Sequence, residues 1–180
     1  MEQEPDFIKE LLDPQTQDRA FQKLVRDYQR PLYAHIRNIV LNHDDADDVL
    51  QNTFLKVFRG LAGFKGDSKL FSWIYRIATN EALTFLSNKA KRNGTTSAAV
   101  QQTQLDSLTA DTYFDGDEIV LKLQRSVALL PEKQQLVFRM KYYDDLKYDE
   151  ISEILGTSVG ALKASYFHAV KKIEEFMSKN

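Results

Sequence analysis

Residues 148–173 read YDEISEILGTSVGALKASYFHAVKKI. Residues 148–155 predict a short helix. Gly156 suits the left-handed conformation that ends a helix, and Thr157 or Ser158 can cap a second helix that begins at Val159. A short helix, a Gly-bearing turn of three or four residues and a longer second helix make the helix-turn-helix pattern. In the second helix Val159, Leu162, Tyr166, Ala169, Val170 and Ile173 fall on one face and predict its buried side. The opposite face carries Gly160, Ala161, Lys163, Ala164, Phe167, His168 and Lys171. Small residues at 160, 161 and 164 let a helix lie deep in a major groove. Lys163 and Lys171 can reach phosphates or guanine edges, and Ser158 with the free amides at the helix start can donate to a phosphate. A purely structural helical hairpin shares the periodicity. DNA reading is favoured because core face, turn glycine, caps and basic face coincide. An exposed Phe167 has no explanation in the pattern.

Upstream, Ile119, Leu121, Leu123, Val127, Leu129 and Leu130 predict a helix that stops at Pro131. That proline opens the next helix, with Leu136, Val137, Met140 and Tyr143 as its apolar face. Residues 119–180 therefore form one small helical domain. Before it lies a stretch, 94–118, with five acidic and no basic residues and much Ser, Thr and Gln. Its apolar residues Val100, Leu105, Leu108, Tyr113 and Phe114 keep no period, so it reads as a flexible, partly extended acidic linker.

Residues 16–93 make a second helical block. Helices are expected over 17–28 and 30–41, with a boundary near Arg30 because Pro31 suits a first helical turn. Ala46, Val49, Leu50, Thr53, Phe54, Val57, Phe58 and Leu61 then repeat as one helix face. Asp44 or Asp45 can cap that helix, and the acids at 44, 45, 47 and 48 sit well against the positive end of its dipole. Its other face shows Asp48, Gln51, Asn52, Leu55 and Arg59. With His43 these acids could be imagined as a metal site, but they point around a helix turn rather than converge. After the loop 64–69 comes a long helix ending in Lys89, Lys91 and Arg92. Lys69, Ser72, Arg76, Thr79 and Asn80 form a polar strip beside Trp73. Cations for phosphates, rings for stacking and amides for base edges are what a single-stranded nucleic acid needs. Taken alone, Trp73 with Phe71 and Tyr75 reads more as core than as a stacking platform.

The charge of −2 over 180 residues conceals a division. Residues 1–15 carry −4, residues 16–93 carry +5, the linker −5 and residues 119–180 +2. The chain has no cysteine, which excludes disulfides, thiolate metal sites and cysteine nucleophiles. It shows neither a secretory leader nor a transmembrane run, so a cytoplasmic protein without membrane insertion is expected. Seven glycines and four prolines favour helix over turn-rich sheet.

These residues resemble a known family, the bacterial sigma-70 family RNA polymerase sigma factors, and within it the small extracytoplasmic-function group. Residues 46–57, ADDVLQNTFLKV, resemble the family's polymerase-clamp helix. Residues 71–80, FSWIYRIATN, resemble its promoter-melting helix, with 64–66 as the loop before it. Residues 130–163 resemble its DNA-reading domain, and the order and spacing of the blocks match along nearly the whole chain.

The resemblance implies an all-α, two-domain transcription initiation factor. Asp47, Asp48, Gln51, Asn52 and Leu55 would dock on the polymerase large subunit. Lys65, Ser68, Lys69, Trp73, Arg76, Asn80, Lys89, Lys91 and Arg92 would bind the −10 element, holding an extruded base. Residues 158–171, through Ser158, Gly160, Ala161, Lys163, Ala164, Phe167, His168 and Lys171, would read the −35 element. It implies core RNA polymerase, promoter DNA and an anti-sigma factor as partners, with no catalytic residue, cofactor, metal or small-molecule substrate. The chain departs from the family at Asn52, Thr84 and Ser87, and it lacks the arginines common at 165, 168 and 170, which should lower phosphate affinity and salt dependence. A stand-alone helix-turn-helix regulator is the alternative. The segment 1–15 has no assigned role.

Overall fold

The computed structural model describes residues 3–107 and 117–179. Among the described residues every regular element is helical. The order is α1 (Gln3–Leu12), α2 (Gln17–Val40), α3 (His43–Gly60), a 3₁₀ turn at Leu61–Gly63, α4 (Leu70–Arg92), α5 (Ser97–Ser107), α6 (Glu118–Ala128), α7 (Glu132–Tyr142), α8 (Tyr148–Leu155) and α9 (Val159–Ser178). Helices α2, α3 and α4 pack on one another around Leu24, Leu32, Ile36, Ile39, Val49, Val57, Ile74, Ala78 and Leu86. In the C-terminal domain α6 and α7 lie on α9, closing a second core of Val127, Leu130, Phe138, Ala169 and Ile173.

The boundary expected near Arg30 does not occur, and α2 runs straight through Pro31. A mid-helix proline costs about 3 kcal/mol. Yet Leu24, Leu32 and Ile36 bury on one continuous face, at roughly 2 kcal/mol each, while the proline itself is exposed. Packing outweighs the local breaker. The cap of α3 also differs from the expected Asp44 or Asp45. Asn42, in extended backbone, accepts from the Asp45 amide at 2.9 Å. The displaced Asp45 side chain turns outward to other partners.

The linker is helical over Ser97–Ser107, not extended. Its buried face is Val100, Gln101, Gln104 and Leu105, half of it amide, so it leaves no apolar period to read. Gln101 Nε2 donates to the Ile39 carbonyl at 3.1 Å, and Gln104 Nε2 to Asp45 Oδ2 at 2.5 Å. The remainder of the linker, with Leu108, Tyr113 and Phe114, lies outside the described residues.

The unassigned N-terminal segment is also structured. Leu11 is buried and Phe7 and Ile8 pack on the α2–α4 core. Glu4 Oε1 accepts from the Leu70 amide at 2.9 Å, which caps α4 where its own N-cap residue, Lys69, makes no side-chain cap bond. An acid belongs there because the helix start carries partial positive charge.

The two domains share a core. Val137, Met140, Leu146, Ile151, Ile154 and Leu162 bury in one cluster with the residues of α2 and α4. The C-terminal end of α2, whose last carbonyls have no partner within the helix, is closed from outside. Arg139 Nη1 donates to the Asn38 carbonyl, and Gln101 takes Ile39.

Candidate nucleic-acid interface

The short α8, the left-handed Gly156 (φ 64°) and α9 realise the helix-turn-helix. Ser158 caps α9 by accepting from the Ala161 amide at 3.3 Å. Gly160, Ala161, Lys163, Ala164, Phe167, His168 and Lys171 are all exposed, while Leu162, Ala169 and Ile173 bury. The seven residues line one side of α9, with Lys163 near the start of the strip and Lys171 at its far end. Lys163 Nζ lies 5.8 Å from the centre of the Tyr148 ring, which holds its stem near α8. Phe167 is 65 % exposed and touches His168 edge-on, so it has no burial to explain it.

On the N-terminal domain the candidates fall into two groups. Asp48, Gln51, Asn52 and Leu55 share the solvent face of α3, whereas Asp47 leans back towards His43, with Oδ2 3.4 Å from Nε2. Among the described residues no three or more metal-ligating side chains converge. Beside this face lies a shallow apolar groove of about 340 Å³, lined by Phe21, Val25, Gln51, Phe54, Leu55 and Phe58. The period of α3 assigns Phe54 and Phe58 to the core. Both instead stand at its edge, packed edge-on against Phe21, and Phe58 is 40 % exposed. That groove is the feature the periodicity missed, because one stripe wider than the core reads like core.

The second group surrounds the start of α4. Lys65 and Lys69 are exposed and Ser68 half-buried on the loop, where Gly66 adopts φ 74°. Trp73 is half-buried. Its ring lies 4.8 Å from that of Phe64, and a Cβ on Gly60 would stand 3.0 Å from Cζ2. Phe64 and Gly60 thus hold a ring that is only partly covered. Asn80 is exposed. Tyr75, by contrast, is buried; burial first, and Asp144 second, raise its pKa far above 10.

Two expected phosphate ligands are engaged within the protein. Lys89 Nζ sits 2.6 Å from Asp45 Oδ2, a pair created by the outward turn of Asp45. Arg76, though exposed, donates to the Glu153 carbonyl of α8. Lys91 and Arg92 remain exposed on the last turn of α4.

The family descriptions "Sigma-70 region 2" and "Sigma-70, region 4" match residues 24–92 and 121–173, together two thirds of the chain. The chain belongs to the sigma-70 family. Similar curated relatives are the RNA polymerase sigma-H factor of Pseudomonas aeruginosa, 27 % identical with 87 % of this chain and 86 % of that one covered. The ECF RNA polymerase sigma-E factor of Escherichia coli is 29 % identical, covering 87 % and 85 %. Among solved structures, CnrH in complex with the cytosolic domain of CnrY aligns over 98 % of both chains, with TM-score 0.71 and 20 % identity. The sigma factor RpoE bound to the anti-sigma factor NepR from Bartonella quintana aligns over 89 % of this chain and 98 % of its own, with TM-score 0.63 and 19 % identity. These findings favour a sigma factor of the extracytoplasmic-function group over a stand-alone regulator. Among the described residues no helix is long and apolar enough to cross a membrane.

Proposed function

We propose that this sigma factor directs core RNA polymerase to two-part promoters, and that the residues described above divide the task. Asp48, Gln51, Asn52 and Leu55 on α3 dock on the polymerase, with the adjoining phenylalanine groove taking apolar side chains of the partner. Lys65, Ser68, Lys69, Trp73, Arg76 and Asn80 bind the opened strand of the −10 element. Trp73 is suited to stacking because its ring is held by Phe64 and Gly60 yet only half-buried, and unstacking a base costs only a few kcal/mol, which stacking offsets. Lys91 and Arg92 meet phosphates downstream. Residues 158–171 read the −35 duplex in the major groove.

The observation that carries the reading is the solvent strip of α9, opposite a buried face, in a domain joined to one that exposes Lys65, Lys69 and Asn80 around a half-buried Trp73. The chain has no chemistry of its own in this scheme; it acts on cytoplasmic polymerase, which makes the bonds. An anti-sigma factor is the expected regulator, as in the RpoE–NepR complex that the chain resembles in fold.

The test is capture of bacterial core polymerase followed by transcription from randomised promoter DNA. Saturable capture and enrichment of a shared two-part sequence are expected. Asp48→Arg should abolish capture while circular dichroism stays unchanged, and Trp73→Ala with Asn80→Ala should reduce permanganate reactivity in the open complex more than closed-complex formation. A folded chain that captures no core would return the weight to a stand-alone regulator.

A further inference from the structure

A cavity of about 230 Å³ lies against α2, α4, α5 and α7. None of the residues that line it is among those assigned above to polymerase or promoter. Ile39, Leu83, Leu86, Leu130 and Leu136 give it apolar walls. Two helices begin at its edge: Ser97 and Ala98 open α5, Pro131 and Glu132 open α7, and all four line it. The first amides of a helix have no acceptor within the helix, and together they carry partial positive charge. Thr96 accepts from the Ala99 amide at 3.2 Å, but Pro131 gives α7 no side-chain cap.

Arg139 lines the same cavity, about two turns along α7 from Glu132. It is 1 % exposed, and its Nε and Nη2 have no partner among the described residues. Only Nη1 is engaged, on the Asn38 carbonyl and, at 3.4 Å, on Gln124 Oε1. The amides in the wall are satisfied. Gln101 Nε2 donates to the Ile39 carbonyl at 3.1 Å, and Gln135 Nε2 to the Leu130 carbonyl at 2.8 Å. Nor do nearby carboxylates serve the guanidinium: Asp144 is taken by His35 at 2.6 Å, and Glu132 is exposed to solvent. A buried N–H without an acceptor is rare and costly, and it calls for a partner from outside the chain. Nε and Nη2 form one edge of the guanidinium, the fork that meets both oxygens of a carboxylate.

We propose that this cavity binds a small carboxylate with an apolar body, its oxygens on Arg139 and the first amides of α7 and its hydrocarbon on the leucine wall. The lining selects that class. An inorganic anion leaves the leucines unmatched, and a neutral hydrocarbon leaves the guanidinium unmatched. Burial disfavours the charge on Arg139, and a paired carboxylate opposes that effect. Size narrows the class further. A cavity of about 150 Å³ admits benzene, at about 25 Å³ per non-hydrogen atom, so this one holds about nine such atoms. Benzoate, or a straight-chain acid of about six or seven carbons, has that size.

The test titrates the full chain, labelled with nitrogen-15, with benzoate, benzyl alcohol or inorganic phosphate at fixed pH and ionic strength. Amide shifts are read by NMR, with thermal unfolding in parallel. Benzoate should saturate, with shifts centred on Leu83, Ser97, Glu132 and Arg139. At a Kd of about 1 mM, 10 mM benzoate should raise Tm by about 3–6 °C. Benzyl alcohol, which keeps the ring without the charge, and phosphate, which keeps charge without the ring, should each bind at least tenfold more weakly. Arg139→Met should remove the preference for benzoate over benzyl alcohol. Ala98→Trp, at an exposed lining position, should fill the space and weaken both at least tenfold with Arg139 in place.

Benzoate that fails to saturate, or shifts residues scattered over the surface, overturns the site. Equal affinity for benzoate and benzyl alcohol in the wild-type chain overturns the role of Arg139, and decides the matter even where Arg139→Met does not fold. Phosphate binding as tightly as benzoate overturns the apolar half of the proposal.

Discussion

Arg139→Met is expected to stabilise the protein. The guanidinium is buried, and burial lowers its pKa from 12.5 to about 10, with Tyr143 and Asp144 pulling only partly the other way. At about 1.4 kcal/mol per unit, keeping it charged at neutral pH costs roughly 3 kcal/mol. Its returns are a hydrogen bond to the Asn38 carbonyl and a long one, 3.4 Å, to Gln124 Oε1, while Nε and Nη2 have no partner. One good bond is worth about 1 kcal/mol, and stranding its acceptor costs about as much again. Methionine fills similar volume without the charge. The net gain is about 1–2 kcal/mol, or a Tm increase of about 2–8 °C for a chain of this size. Urea and thermal unfolding followed by circular dichroism measure it. Arg139→Lys should lie below wild type, since it retains the charge and loses the reach. A methionine variant less stable than wild type by more than about 1 kcal/mol, with unchanged helicity, would refute the reasoning and make the capping of α2 worth more than the charge costs.

Three further outcomes are expected. Glu4→Ala should lower stability by about 1 kcal/mol through loss of the α4 cap, whereas Asp6→Ala, which breaks only an exposed pair with Lys9, should be nearly silent in the same urea titration. Burial raises the pKa of Tyr28 and of Tyr143 to about 12 and that of Tyr75 higher, so the unfolded chain releases these protons first; stability should hold up to about pH 10 and fall above it, and ultraviolet titration should show ordinary tyrosines ionising before these three. Simultaneous ionisation of all eight in the folded chain would contradict this. Gly60→Ala should leave stability within about 1 kcal/mol, because the helix propensity gained offsets the crowding. It should nonetheless shift the emission of the single tryptophan, whose ring must move; an unaltered spectrum would mean the contact is slack.

The C-terminal domain was the most legible part of the sequence. Gly156, Ser158 and Pro131 are local signals, and each acts where chain-local chemistry places it: a left-handed C-cap, an N-cap and a helix opening. The solvent strip of α9 followed from the same period. What was not legible depended on distant partners. Pro31 reads as a boundary until the core on either side is known. Asn42 rather than an aspartate caps α3 because Asp45 is called outward by Lys89 and Gln104. Helix α5 buries amides, whose acceptors, the Ile39 carbonyl and the Asp45 carboxylate, lie far off in the chain. The phenylalanine groove was hidden for the opposite reason: a site made of apolar residues has no signature that separates it from core. Of the expected −10 ligands, Arg76 and Lys89 carry the charge a phosphate needs, but their intramolecular engagement lies in contacts 77 and 44 residues apart in the chain.

The closed end of α2 has a consequence in time. Its two terminal caps come from residues made long after it: Gln101 follows Ile39 by 62 positions and Arg139 follows Asn38 by 101. At about 5–20 residues per second, a ribosome delivers the first about 3–12 s after its carbonyl and the second about 5–20 s after. During synthesis the N-terminal domain therefore exists for seconds with the last turn of α2 frayed and the surface of α4 uncovered.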